Sequence, residues 1–138
     1  MTNFVRWAIV IVAVHAAVVA VHSAAHAALM ILPGTAFDAA FIGGVIILAP
    51  ILAAVLLARR SALGRPLLFL SMFASCGYGA VSHYVLPGPD NVAAVAPDGI
   101  GLIFVATTAL LAVIEGAGIA LGFVLLRNRP ANAPEPSY

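Results

Sequence analysis

Four histidines, His15, His22, His26 and His83, stand in a chain that offers few other reactive groups. Three of them interrupt the apolar run VHAAVVAVHSAAHAALMILP, residues 14–33, at spacings of seven and four. Seven residues is nearly two α-helical turns and four is just over one, so these imidazoles project from one face. Met72, Cys76 and His83 lie four and seven apart, and Thr108 and Glu115 seven apart, so each set also shares a face of its own segment. Imidazole suits zinc, copper and iron, carboxylate hardens such a site, and thiolate or thioether softens it.

Two cofactors follow from these donors. His22, His26 and His83, with Asp38 as a fourth partner, make the ligand set of a transition-metal site, with Cys76 and Met72 as soft ligands held in reserve. His22 and His26, at i and i+4, let one helix offer two ligands to one ion. The competing cofactor is a b-type haem, with His26 and His83 as axial ligands and Ala24, Ala25, Ala27, Gly79 and Ala80 leaving room for the porphyrin. The absence of C-x-x-C-H excludes covalent haem attachment, and no H-E-x-x-H fixes a zinc geometry. Each residue also has a purely structural use. A histidine can bond across helices, Glu115 can sit protonated, and Met72 and Cys76 pack well in an apolar core.

The elements that must position these groups are membrane spans. The chain has 138 residues, of which 64% are apolar and only 8% charged. A soluble domain carries about a quarter charged residues, so this chain cannot cover itself in water. Pro, Gly and Arg divide it into apolar segments at about 4–32, 36–58, 66–87 and 100–126, each exceeding the roughly 20 residues that cross a bilayer. The reading is an all-α, polytopic four-helix bundle running up-down-up-down over residues 1–129. A Pro-rich polar tail follows at 130–138. Arg6 and the Ala25-His26-Ala27 triplet resemble a signal peptide, but the run to Leu32 far exceeds a 7–15-residue signal core, so a retained first span is expected. Pro50 falls inside the second span and should kink it near the Ile46 carbonyl.

With four spans, Arg6, Arg59, Arg60, Arg65, Arg127 and Arg129 fall on one side and Asp38, Asp90 and Asp98 on the other. The positive-inside rule then makes both termini cytoplasmic, in a plasma (inner) membrane. At 1.5 Å per residue, His26 and His83 lie roughly 6–9 Å below the outer boundary, with His22 and Cys76 deeper and His15, Met72 and Glu115 deepest. Intramembrane ionisable groups usually face the bundle interior and pair. Glu115 is therefore expected to couple to one of the histidines, with His15 nearest in depth and His22 about one turn shallower, and to place a proton-accepting group beneath the cofactor.

These features define a small membrane protein that holds a metal or haem for electron transfer or metal handling. An accessory or assembly subunit without its own cofactor, and a His/Glu ladder passing protons or small solutes, are the alternatives. The expected partners are the lipid bilayer and other membrane subunits or a second copy of the chain. Nucleic acid is excluded, because the net charge is +1 and no phosphate loop is present. Ser23 and Ser75 lack a nucleophile motif, which argues against hydrolytic catalysis and leaves other enzymatic activity open. The lone Cys76 excludes an intrachain disulfide.

Overall fold

The computed structural model describes residues 3–96 and 98–128; Arg129 and the tail at 130–138 lie outside the described residues. Four helices make up the ordered framework: α1 (Asn3–Ala28), α2 (Ala36–Ala58), α3 (Gly64–Ala80, continued by the π-helical turn Val81–Val85) and α4 (Gly99–Arg127). Among the described residues α1, α2 and α4 are each long and apolar enough to cross a membrane. The α-helical part of α3 is shorter, at 17 residues, and carries Ser71, Ser75 and Tyr78 before it reaches Ser82 and His83.

The buried faces explain how the helices meet. Along α1 the buried positions are Ala8, Val12, His15, Val19, His22 and Ala25; along α4 they include Gly101, Phe104, Thr108, Leu111, Glu115, Gly118, Gly122 and Leu125. Steps of three and four mark the seam of helices packed side by side at a shallow angle. Polar His15, His22, Thr108 and Glu115 occupy this seam, while Trp7, Val14, Val21, Val113 and Phe123 face outward. An apolar outer surface with polar groups inside is the pattern that lipid selects.

One apolar cluster joins Ala8 and Val12 of α1, Ala53 and Leu57 of α2, Leu68 and Met72 of α3 and Leu125 of α4. A second, built on Ala25, Ile31 and Phe104, draws in Val92 and Val95 from the loop after α3. Glycine sets the α3–α4 distance. A Cβ on Gly122 would lie 2.9 Å from the Phe69 Cα, and one on Gly118 would lie 2.8 Å from the Met72 Cγ. Such close approach through small residues is a recurrent way of packing membrane helices.

The helix ends are set locally. Helix α1 stops at Ala28, short of the expected limit at Leu32, because Met30 takes a left-handed conformation (φ 57°). The Met30 N–H then donates to the Ala27 carbonyl and the Ile31 N–H to that of His26, closing the helix. Arg60 (φ 60°) ends α2 in the same way. Helix α3 begins two residues earlier than expected, at Gly64, and ends at Val85. Within α2 the segment Ile42–Leu48 is π-helical, and the Ala49 N–H donates to the Gly44 carbonyl one residue ahead of Pro50. The disturbance expected at Pro50 thus takes the form of a widened turn, a known way of accommodating a missing donor.

Candidate metal centre

His22, His26 and His83 come together where α1, α3 and the loop after α3 meet. Each offers a ligand atom, and these atoms all lie within 4.8 Å of one another. The His22 ring centroid is 4.5 Å from that of His26 and 5.1 Å from that of His83. Phe104 of α4, fully buried, touches all three rings at centroid distances of 5.0–5.4 Å and closes one side of the cluster.

The Nδ1 partners define the protonation pattern. The Nδ1–H of His26 donates to the Ile31 carbonyl at 3.3 Å and that of His83 to the Asp90 carbonyl at 3.0 Å; both acceptors have no proton to give. His22 Nδ1 lies 2.9 Å from the Thr107 hydroxyl, whose own proton is committed to the Ile103 or Phe104 carbonyl at 2.7 and 3.0 Å. Thr107 therefore accepts from His22. With Nδ1 protonated on each neutral ring, Nε2 carries the lone pair, the form in which imidazole binds metal.

Acceptors consequently face one another. His22 Nε2 and His26 Nε2 are 3.0 Å apart, and Asp90 Oδ1 lies 3.4 Å from His26 Nε2 and 3.2 Å from His83 Nδ1. The His83 N–H is directed at the Asp90 carbonyl, so the buried Oδ1 has no aligned donor among the described residues. Two lone pairs at 3.0 Å repel unless a proton or a cation lies between them. Burial by itself raises the Asp90 carboxyl, but the His83 ring beside it, with His26 and His22 close by, outweighs that and holds the group below the usual 3.8.

Local backbone devices set this geometry. His26 and Ile31 bond reciprocally, the Ile31 N–H to the His26 carbonyl and the His26 ring to the Ile31 carbonyl. His83 sits in the π turn that ends α3, where the Leu86 N–H reaches back to Val81. The loop folds over it: the Val92 N–H donates to the His83 carbonyl at 3.0 Å and the Asn91 amide to the Leu86 carbonyl at 2.9 Å. That fold delivers Asp90.

The other expected site residues lie elsewhere. Asp38 lies in the first turn of α2, which Thr35 caps, and is not among the groups at the histidines. It receives the Thr35 hydroxyl at 2.8 Å and the Tyr78 hydroxyl at 3.1 Å, and the acid at the cluster is Asp90 instead. Met72 is fully buried in the apolar core beside Gly118, and Cys76 lies outside the three-histidine group. His15 and Glu115 are paired, Nε2 to Oε1 at 3.2 Å, both buried. A haem between His26 and His83 would have to displace His22 and Phe104, each of which touches both rings. The geometry therefore disfavours the porphyrin.

Asp90, Thr107 and the Ile31 carbonyl are the contacts that sequence reasoning missed. The available signal for Asp90 was its place only seven residues after His83, in the loop that follows it. A cavity of about 490 Å³ adjoins the cluster, bordered by His22, His26, His83 and Asp90 at one end and by Ser75 and Glu115 farther in.

Together these features describe a membrane-type helical protein with a histidine cluster able to hold a metal ion. No protein-family model matches the chain, and no curated protein or solved structure matches it either.

Proposed function

We propose that this is an integral membrane protein that binds a divalent transition-metal ion through His22, His26, His83 and Asp90. The observation that carries the reading is the meeting of His22 Nε2, His26 Nε2 and Asp90 Oδ1 as acceptors with no donor between them. A cation resolves that arrangement. Metal–nitrogen bonds of about 2.0–2.1 Å in a tetrahedral site place two imidazole nitrogens about 3.3 Å apart, close to the 3.0 Å found here. Three neutral imidazoles and a carboxylate favour zinc or copper over magnesium or calcium, so metal handling is the role proposed. The four helices would cross the bilayer up-down-up-down, with both termini cytoplasmic and the site toward the outer side. The grouping of arginines at one end supports that orientation.

Metal content decides the matter. Protein purified in detergent should carry close to one zinc or copper per chain, or take up one cobalt(II) with the visible absorption of a tetrahedral ion. His22→Ala should abolish both. A protein that folds but holds no metal under either condition would leave a proton shared between His22 and His26, and the metal reading would fall.

A further inference from the structure

Below the histidines the cavity continues toward Glu115, walled by α1, α3 and α4 and by Ile42 and Ile46 of α2, and it leaves one polar group unexplained. Ser75 is 1% exposed, borders the cavity, and its hydroxyl oxygen has no hydrogen-bond partner among the described residues. Buried hydroxyls are almost always satisfied by protein or by ordered water. The space is large enough for several waters, and Ser75, Thr108 and Glu115 give them polar walls. At the far end, Glu115 meets His15 at 3.2 Å.

We propose that this cavity holds a water path which delivers protons from the loop end of the molecule to the Glu115–His15 pair, making that pair a proton acceptor inside the membrane. Carboxylate and neutral imidazole together carry one negative charge. Uptake of one proton from the water path neutralises the pair while the Nε2–Oε1 hydrogen bond persists. His15 of α1 meets Glu115 directly, and Cys76 and His83 of α3 line the same cavity. Asp38 of α2 and Asp90 of the loop stand toward the mouth. The proposal does not depend on what occupies the histidine cluster.

The chain carries its own reporter, because Cys76 is its only cysteine and borders the cavity. In proteoliposomes, a small charged methanethiosulfonate reagent should modify Cys76 when added on the loop side and not from the arginine side. Ser75→Leu should abolish that modification. In an infrared pH titration, a carboxyl band responding to loop-side pH should be present in the native protein and lost in Glu115→Gln. Cys76 that reacts only with an apolar maleimide, or only from the arginine side, would overturn the proposal. So would a titrating band that survives Glu115→Gln; this measurement still decides if Ser75→Leu fails to fold. Both assays are run on chelator-treated and metal-loaded protein, so a failed metal site and a dry cavity give different results.

Discussion

Asp90 and His83 meet at one nitrogen: the His83 Nδ1–H donates to the Asp90 carbonyl at 3.0 Å, and the Asp90 carboxylate lies 3.2 Å from the same nitrogen. The loop is thereby tied to the end of α3 by the residues that also form the site. Because the Asp90 carboxyl is held below its usual 3.8, its contribution to stability is complete above that value and is lost as pH falls through the lower folded value. Thermal unfolding in detergent should thus show a stability loss in the acid range below about pH 4 that Asp90→Asn lacks. Allowing for solvent at this half-buried site, the difference should be about 1 kcal/mol.

Thr107 should matter to metal binding without touching the metal. It accepts the His22 Nδ1–H, and groups that orient a ligating histidine in this way typically govern affinity by about 10–100-fold. Thr107→Val keeps the shape and removes the acceptor. Competition with a chelator should show the metal held more weakly by that factor, with the helical content unchanged.

The α3–α4 contact predicts a contrast among glycines. Gly122→Ala sets a methyl group against the Phe69 backbone, which cannot rotate aside, whereas a Cβ on Gly116 meets nothing within 4 Å. Gly122→Ala should cost about 1–3 kcal/mol of stability. Gly116→Ala should cost nothing measurable. Gly118→Ala should fall between them, because its neighbour is the flexible Met72 side chain.

The buried His15–Glu115 pair should behave as a unit. Removing one partner strands a polar or charged group and typically costs about 3–5 kcal/mol, while replacing both with apolar residues is far cheaper. Unfolding measurements on His15→Leu, Glu115→Leu and the double variant should therefore show the double variant more stable than Glu115→Leu. Simple addition of the two losses would mean that the contact carries no coupling energy.

What the sequence revealed was whatever depends on regular geometry. Pro, Gly and Arg punctuation delimits the helices, the spacing of His15, His22 and His26 puts them on one face, and depth counting sets His15 nearest to Glu115, with His22 one turn away. What it concealed depends on irregular backbone. Asp38 and Asp90 stand at the same end of the chain's helices, and only the fold of the 86–98 loop decides which one reaches the histidines. Thr108 shares a face with Glu115, yet its hydroxyl is committed to the Phe104 carbonyl at 2.9 Å, and the neighbouring Thr107 supports His22. A helical repeat cannot register the π turn at Val81–Val85 that orients His83.

That turn has a consequence for the length of the chain. A π turn contains one residue more than the α turn it replaces. Deleting Ser82 would therefore let α3 continue as ordinary helix, with its backbone hydrogen bonds re-formed one register shorter. The chain beyond the turn would keep its place, but His83, which lies inside the turn, would rotate about the helix axis out of its position against His22 and His26. Without altering any ligand, the loss of one serine would disassemble the cluster. One extra residue in that turn thus decides whether a third imidazole stands against His22 and His26.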